Sequence, residues 1–133
     1  MKIAITSSGP TLDSQIDPRF GRAQYLLIVD TDSLDLEAIE NPNVAAGGGA
    51  GIQTAQMVVG KGAKAILTGN CGPNAFRTLS AADIQVYTNL SGTVRDALQS
   101  FKQGELAPIA DPSVPSHFGV GAGGSEKPGG VGR

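Results

Sequence analysis

Short apolar runs alternate with helical patterns over the second half of the sequence, and this alternation constrains the fold more than any other feature. The runs at 64–68 and 84–88 have the length and composition of buried strands. A helical pattern over 73–82 separates them, and another follows from a Ser91 cap to Gly104. Because each helix returns the chain to the start of the next strand, the strands should be parallel, with right-handed crossovers. The pattern predicts an α/β layered domain.

The first half of the sequence adds one more parallel strand and a hairpin. Lys2–Thr6 is a short strand that ends at a Ser-Ser-Gly-Pro turn. The run Tyr25–Asp30 is apolar almost throughout, which is typical of a strand buried on both faces. A turn at 31–33 leads into 35–40, whose imperfect alternation predicts an antiparallel edge strand. We therefore expect a mixed five-stranded sheet, with a parallel core and an antiparallel hairpin, and about three helices.

Glycines cluster between the hairpin and the first helix. The segment Ala45–Gly51 opens a helix over about 51–60, with apolar side chains at Ile52, Ala55 and Val59. It matches neither the Gly-x-Gly-x-x-Gly dinucleotide motif, whose last glycine is missing, nor a Walker loop, whose Gly-Lys-Ser/Thr is missing. From the residues alone, this segment is either a flexible turn or a place where the backbone approaches a ligand closely.

Glycine and proline also mark the end of the folded unit. Residues 111–133 contain 7 Gly and 3 Pro, whereas residues 1–110 contain 12 Gly and 5 Pro. A segment of this composition buries too little apolar surface to fold by itself. We expect one α/β domain over 1–107, large enough for a single core, and a flexible Gly/Pro-rich tail over 108–133.

The charge and the cysteine count exclude several classes of protein. With 10 Lys and Arg against 12 Asp and Glu, the net charge of −2 disfavours a nucleic-acid-binding protein. One Cys and one His exclude a disulfide framework and the usual zinc sites of Cys and His. No apolar run reaches about 20 residues, and the apolar stretch at the N-terminus is too short for a signal peptide. We expect a soluble, cytoplasmic protein.

The loops that follow the parallel strands are the place to expect a ligand, since ligands of open α/β sheets bind beyond the carboxyl ends of the strands. These loops begin at Ser7, Thr68 and Thr88 and are rich in small and polar residues. Helices that begin near them direct their positive ends to the same edge. A nearby loop contains Arg19 and Arg22, so the sequence predicts a site for an anion of modest size.

Single residues leave alternatives open. Cys71 is either a small buried apolar residue or, at the start of a helix, a reactive thiol with a lowered pKa. Arg19 and Arg22 are either ligand contacts or solvated surface charges. The one histidine, His117, lies in the predicted tail, so no Ser/His/Asp triad can be assembled. A binding protein therefore fits the sequence better than an enzyme does.

Several segments, taken together and in this order, resemble one known family. They are Asp17-Pro-Arg-Phe-Gly-Arg-Ala23, the strand Tyr25–Asp30, Glu40-Asn-Pro42, Gly47–Gly51, Thr68-Gly-Asn-Cys-Gly-Pro-Asn-Ala75, Ile84-Gln-Val-Tyr87 and Gly92-Thr-Val-Arg-Asp-Ala-Leu98. The set spans about residues 1–107 and resembles the dinitrogenase iron-molybdenum cofactor biosynthesis family. That family includes the cofactor carriers of nitrogen fixation and the orange protein of sulfate-reducing bacteria, and the sequence resembles the orange-protein branch more than the nitrogen-fixation branch.

The resemblance implies a ribonuclease-H-like fold and a non-enzymatic carrier of an anionic metal–sulfur cluster. The implied cargo is a molybdenum–copper sulfide cluster held largely without covalent bonds, and iron–molybdenum or iron–sulfide clusters are the alternatives. A chain with one Cys and one His cannot supply the thiolates of an ordinary iron–sulfur site, so the cluster must bring its own sulfides. The resemblance also implies a cluster-accepting protein or a P-loop ATPase as partner, and neither nucleic acid nor a membrane.

The family resemblance implies that positive charge, backbone N–H groups and an apolar wall hold the cluster. Arg19 and Arg22 supply the charge and Phe20 the wall, with Gly21 in the same loop. Glycines let the backbone come close on one side, and a second loop lines the other. The glycines on the first side are Gly47, Gly48 and Gly49, and the residues of the second loop are Asn70, Cys71 and Gly72. Cys71 is the one candidate for a direct soft bond to copper or iron.

Two other functions compete with the carrier. The first is a regulatory or interaction domain of the same fold that binds a nucleotide or a partner protein. The second is a ribonuclease-H-like nuclease, which needs a cluster of carboxylates around a divalent metal. The strand Lys2–Thr6 contains no carboxylate, so the sequence disfavours the nuclease.

Overall fold

The computed structural model describes residues 1–44 and 49–111. In chain order, these residues form β1 (Lys2–Ser7), β2 (Tyr25–Asp30), β3 (Leu36–Glu40), α1 (Ala50–Gly60), β4 (Ala65–Leu67), α2 (Pro73–Ala81), β5 (Gln85–Tyr87) and α3 (Val94–Lys102). Within these two ranges, no helix is long and apolar enough to cross a membrane.

The strands form one mixed sheet in the order β3-β2-β1-β4-β5. β1, β4 and β5 run parallel, with Ile3 beside Ala65 and Ala65 beside Gln85. β2 is antiparallel to both of its neighbours, and its Tyr25 pairs with Glu40 of β3. The predicted five-stranded sheet, with its parallel core, antiparallel hairpin and three helices, is confirmed.

Two helical layers bury the sheet on both faces. α1 and α2 pack on one face, over a core that includes Leu26 and Ile28 of β2. α3 packs on the other face, over Leu27 and Val29 of the same strand. Successive side chains of a strand point to opposite faces, so β2 must be apolar at every central position. The burial on both faces that the sequence predicts for this strand is confirmed.

The buried stripe of α1 differs from the predicted one: Ala55 is buried as predicted, but Ile52 is half-buried and Val59 is exposed. Val58 is buried, whereas Val59 is 40% exposed. The stripe runs through Thr54 and Ala55, so Val58 follows at the three-residue spacing. Val58 lies three residues after Ala55 and Val59 lies four, and both spacings are compatible with one face of a helix. The spacing of apolar residues in the sequence therefore does not distinguish them.

The cap of α3 is also different from the predicted one. Thr93, not Ser91, precedes the helix, and its Oγ1 accepts a hydrogen bond from the N–H of Asp96 at 3.1 Å. Gly92 has a left-handed backbone with a φ of 82°. The helix cannot include a residue in that conformation, so it begins after Gly92 and the nearest hydroxyl that can cap it is that of Thr93.

The chain crosses the edge of β5 after α3. Leu106 packs against the core under α3, and Ile109 packs against the core under α1 and α2. The N–H of Ile109 donates to the carbonyl oxygen of Val86 in β5 at 2.8 Å. The first residues of the predicted tail are therefore held against the sheet. Residues 112–133 lie outside the described residues, and the domain boundary at 107 stays a prediction.

Candidate functional site

A cavity of about 380 Å³ opens beyond the carboxyl end of β4, between the starts of α1 and α2. The loop before β2 and the loop after β4 complete its wall. The lining residues are Pro18, Arg19, Phe20, Gly21, Gly49, Gly51, Ile52, Asn70, Gly72, Pro73, Asn74 and Ala75. The cavity lies at the edge of the sheet where the sequence predicts an anion site.

Two helices begin at this cavity. α1 follows Gly49 and α2 follows Gly72, and neither has an acidic residue in its first turn or, within the described residues, a side-chain cap. First-turn N–H groups have no acceptor inside their helix, and together they act as roughly half a positive charge. The first-turn residues that line the cavity and carry a main-chain N–H are Gly51, Ile52, Asn74 and Ala75. This arrangement suits an anion that accepts hydrogen bonds from the main chain.

Main-chain contacts join the loop before β2 to the loop after β4. The N–H of Asn70 donates to the carbonyl oxygen of Pro18 at 2.8 Å, and the N–H of Phe20 donates to that of Asn70 at 3.3 Å. Gly69 makes this approach possible, because a Cβ there would lie 2.6 Å from the Cα of Pro18. The two loops therefore form one continuous wall of the cavity.

A second close contact joins this wall to α1. A Cβ on Gly21 would lie 2.8 Å from the main-chain nitrogen of Gly51. The hydroxyl of Thr54 in α1 donates to the carbonyl oxygen of Gly21 at 3.0 Å. Gly21 is thus required by the packing of the loop on the helix, whatever the cavity binds.

Arg19 lies at the rim of the cavity, paired with a buried carboxylate. The side chain of Arg19 is 55% exposed, whereas that of Asp17 is 4% exposed. Nε and Nη2 of Arg19 lie 3.3 Å from Oδ1 and Oδ2 of Asp17, respectively. The hydrogen bonds that Arg19 donates to Asp17, together with the negative charge of Asp17, raise the pKa of Arg19 above its usual value. The rim therefore carries a fixed guanidinium whose charge Asp17 partly offsets.

Arg22 has a different role. Its Nη1 donates to the carbonyl oxygen of Val44 at 3.1 Å, and its side chain is half-buried. Arg22 does not line the cavity. Its hydrogen bond joins the loop before β2 to Val44, the last residue that the structure describes before residues 45–48.

Cys71 lies in the core rather than on the cavity surface. The residue is fully buried, among the side chains under α1 and α2. Burial raises the pKa of the Cys71 thiol to about 12. The lowered pKa considered from the sequence is therefore wrong, because the side chain lies in the apolar core, where desolvation disfavours the thiolate. In the described part of the chain, no group of three or more His, Cys, Asp and Glu residues could hold a metal ion.

Comparison with known proteins identifies the family. The family model described as dinitrogenase iron-molybdenum cofactor matches residues 1–104, most of the chain. The chain belongs to the dinitrogenase iron-molybdenum cofactor family. The resemblance that the sequence motifs indicate is confirmed.

Two solved structures share the fold of this family member, and a further relative matches it in sequence. The apo form of the orange protein from Desulfovibrio gigas is 42% identical, with a TM-score of 0.81, over 84% of this chain and 94% of that chain. A candidate NifB protein from Thermotoga is 40% identical, with a TM-score of 0.71, over 80% of this chain and 91% of that chain. An uncharacterised protein of Methanocaldococcus jannaschii is 28% identical over 109 residues, which cover 80% of this chain and 89% of the relative.

The cavity of this dinitrogenase iron-molybdenum cofactor family member contains most of the described residues that the resemblance implies for the site. Those that line it are Arg19, Phe20, Gly21, Gly49, Asn70 and Gly72. Arg22 and Cys71 are next to lining residues in the chain but do not line the cavity themselves. Arg22 donates to Val44, and Cys71 packs in the core. Gly47 and Gly48 lie outside the described residues, as does His117.

A buried polar network behind the cavity was not identified from the sequence of this family member. The side-chain amide of Asn41 donates to the carbonyl oxygens of Ala23 at 2.9 Å and Gly21 at 3.2 Å. Its Oδ1 accepts the N–H of Asn43 at 3.0 Å, and both asparagines reach the hydroxyl of Thr54. The network fixes the loop before β2 against α1. An Asn-Pro-Asn sequence directly after a strand is the signal that could have revealed it.

Proposed function

We propose that this protein is a non-enzymatic carrier that binds an anionic metal–sulfur cluster in the cavity between the starts of α1 and α2. One observation carries the proposal: two helix N-termini, uncapped by side chains in the described part of the chain, open into one cavity that also contains Arg19. Each helix start provides N–H donors and positive potential. Together they favour an anion with hydrogen-bond acceptors on more than one side.

The remaining lining favours a weakly hydrated anion over phosphate. Pro18, Phe20, Ile52 and Pro73 contribute apolar surface to the cavity. Apolar surface cannot replace the water that a strongly hydrated anion loses on binding. A sulfide-rich cluster spreads its charge over large, polarisable sulfur atoms and loses less hydration. The lining therefore supports a cluster over a nucleotide, and the carrier over a regulatory domain that binds a nucleotide.

The protein's part in this binding is to surround a cluster that already contains its sulfides. We propose that first-turn N–H groups and the Arg19 guanidinium donate to the sulfides, and that Phe20 and Ile52 form an apolar wall against the cluster. The burial of the Cys71 thiol supports binding without a bond from cysteine to metal. The glycines Gly47, Gly48 and Gly49 complete the proposed site, as the resemblance implies.

Our proposed cargo is a molybdenum–copper sulfide cluster. Family membership and the 42% identity with the orange protein of Desulfovibrio gigas support it. Iron–molybdenum and iron–sulfide clusters present the same acceptor atoms, so they are outcomes of the experiment below.

Several broader proposals accompany this function. We propose that the protein acts in the cytoplasm, that its domain ends near residue 107, and that a cluster-accepting protein or a P-loop ATPase is its partner. We also propose that its sheet has the ribonuclease-H-like topology of the family. The strand order β3-β2-β1-β4-β5, with β2 antiparallel, supports that topology.

Anaerobic reconstitution of the full chain tests the carrier. In separate samples, the protein is mixed with tetrathiomolybdate alone, with tetrathiomolybdate and copper(I), with tetrathiomolybdate and iron, or with iron and sulfide, and is then desalted. Its visible spectrum, metal content and sulfide content are measured. We expect a coloured species with a fixed ratio of molybdenum to copper. Loss of all metal from every mixture would overturn the carrier. Retention of molybdenum with iron but not with copper would change the cargo to an iron–molybdenum cluster, and retention of iron alone would change it to an iron–sulfide cluster.

A matched pair of arginine variants shows where the cluster binds. Arg19 lines the cavity, whereas Arg95 pairs with Asp13 at 3.0 Å and lies outside the lining. We expect Arg19→Gln to weaken retention of the cluster about tenfold, the effect of one hydrogen bond to a charged group, and Arg95→Gln to leave it unchanged. Equal effects of the two variants would mean that the cluster binds elsewhere.

A further inference from the structure

Asp17 is a buried carboxylate that accepts four hydrogen bonds beside the cavity. Its Oδ1 accepts from the N–H of Arg19 at 3.0 Å and from Nε of Arg19 at 3.3 Å. Its Oδ2 accepts from Nη2 of Arg19 at 3.3 Å and from the N–H of Gln24 at 3.1 Å. A carboxylate at 4% exposure is stable only when its oxygens are paired in this way. Three of the four donors belong to Arg19.

The main chain of Asp17 is fixed to the centre of the sheet. Its N–H donates to the carbonyl oxygen of Thr6 in β1 at 3.1 Å. Its own carbonyl oxygen lies 2.7 Å from the hydroxyl of Thr6, which in turn lies 2.8 Å from the hydroxyl of Thr68, directly after β4. Both threonines are fully buried. Asp17 therefore connects two central strands to the guanidinium at the rim.

The pairing leaves donors on Arg19 for a ligand. A guanidinium has five N–H groups in a rigid plane, and Asp17 engages one on Nε and one on Nη2. No other hydrogen bond from this guanidinium is found within residues 1–44 and 49–111. Because the plane is rigid, fixing one edge of it also fixes the direction of the three remaining N–H groups.

We propose that Asp17 is a positioning residue, which holds the Arg19 guanidinium so that its remaining N–H groups are directed at the anion in the cavity. The inference rests on the proposed function. The sequence leaves Arg19 as either a ligand contact or a solvated surface charge. A side chain held in this way is a fixed donor, which favours the ligand contact. The inference also assigns a role to the aspartate of the Asp17–Arg22 segment, which the carrier proposal does not use.

A double-mutant cycle tests the positioning role with tetrathiomolybdate as the probe. Retention is measured for the wild type, Asp17→Asn, Arg19→Gln and the double variant. We expect Arg19→Gln to weaken binding about tenfold in the wild type but less than about threefold in the Asp17→Asn background, since Arg19 is no longer held there. The same factor in both backgrounds, or tighter binding by Asp17→Asn, would overturn the inference. Asp13→Asn and Arg95→Gln form the matched control pair away from the cavity.

Arg19→Lys keeps the inference testable if Asp17→Asn does not fold. Lysine retains the positive charge but cannot form the two-point contact with a carboxylate. We expect this variant to bind tetrathiomolybdate nearly as weakly as Arg19→Gln does. Binding equal to that of the wild type would show that charge alone is sufficient, and the positioning role would be wrong.

The NMR signal of the Arg19 Nε–H separates failure of this inference from failure of the proposed function. In the wild-type full chain without any cargo, we expect a resolved signal that exchanges slowly with water, and we expect Asp17→Asn to remove it. Arg19→Lys lacks this N–H altogether and therefore identifies which signal belongs to Arg19. An Nε–H signal that is unchanged in Asp17→Asn would overturn the inference, whether or not the protein binds tetrathiomolybdate. If the signal behaves as expected but the wild type retains no metal, Asp17 holds Arg19 and the carrier proposal is the part that is wrong.

Discussion

At the scale of single residues, Cys71 marks the boundary between the cavity and the core. Its neighbours in the chain, Asn70 and Gly72, line the cavity, whereas its own side chain is fully buried under α1 and α2. Burial raises the pKa of the thiol to about 12, so the thiol stays protonated at neutral pH. The thiolate, not the thiol, is the nucleophile and the metal ligand, so burial disfavours both roles for Cys71. We infer that Cys71 fills the core behind the cavity wall.

The raised pKa of Cys71 predicts how stability depends on pH. The thiol has its ordinary pKa of 9.0 when unfolded and a pKa of about 12 when folded. Its contribution to stability is therefore complete below about pH 9 and is lost as the pH rises towards about 12. We expect the free energy of unfolding to fall more steeply over this range for the wild type than for Cys71→Ala. Urea denaturation at a series of pH values measures both slopes, and identical slopes would contradict the burial.

The same substitution, Cys71→Ala, tests whether the thiol binds metal in the reconstituted protein. Cys71→Ala removes the sulfur but leaves the first turns of α1 and α2 in place, so we expect the same visible bands and the same metal content as in the wild type. Arg19→Gln serves as the comparison that should lose metal. Bands that shift or vanish in Cys71→Ala, with the fold intact by circular dichroism, would identify Cys71 as a ligand.

The two arginines show where interpretation of single residues from sequence stops. Arg19 and Arg22 lie in one loop, and the sequence offers both as sources of charge for an anion. The partner of Arg19 is Asp17, only two residues away, although the sequence does not single out this pair. The acceptor of Arg22 is the carbonyl oxygen of Val44, 22 positions away, and no local pattern indicates such a contact.

At the scale of elements, the start of α3 depends on one hydroxyl. The side chain of Thr93 accepts the N–H of Asp96, whereas Ser91 is exposed and lies before the left-handed Gly92. We expect Thr93→Ala to lower the free energy of unfolding by about 1 kcal/mol. Ser91→Ala should change it by less than about 0.5 kcal/mol. Urea denaturation of both variants checks the assignment, and the reverse order of effects would refute it.

Two glycines provide a matched test of the close contact between loops. A methyl group on Gly69 would lie 2.6 Å from the backbone of Pro18, whereas one on Gly60 in α1 would meet nothing within 4 Å. We expect Gly69→Ala to destabilise the protein by about 1–3 kcal/mol through overpacking. Gly60→Ala should leave stability unchanged or raise it by up to about 1 kcal/mol. Thermal unfolding measures both, and a neutral Gly69→Ala would show that the two loops are not joined as described.

The elements themselves follow from the sequence more closely than their ends do. The alternation of apolar runs and helical patterns predicts the parallel strands, and the apolar run of β2 predicts its burial on both faces. The cap of α3 does not follow, because it depends on the backbone conformation of Gly92, which periodicity does not specify. The buried stripe of α1 does not follow either, since Val58 and Val59 are both apolar.

At the scale of the whole molecule, the cavity exists because the sheet brings distant segments to one edge. The parts of the chain at 18–21, 49–52 and 70–75 line it together. The rule that ligands bind beyond the carboxyl ends of parallel strands locates this edge from the sequence. The network around Asn41 cannot be located in this way, because its partners Gly21 and Thr54 are distant in the chain. Long-range hydrogen bonds of this kind are the part of the site that the sequence leaves undetermined.

The central claim is that the first turns of α1 and α2 hold the anion, and an amide NMR titration tests it most directly. The isotope-labelled full chain is titrated anaerobically with tetrathiomolybdate and copper(I), and every resolved N–H signal is followed. The account predicts that the largest shifts occur at Gly51, Ile52, Asn74 and Ala75. It also predicts that α3 (Val94–Lys102), which covers the opposite face of the sheet, is unaffected. Retention of metal with unchanged signals at those first-turn residues, or with the largest shifts in α3, would contradict it.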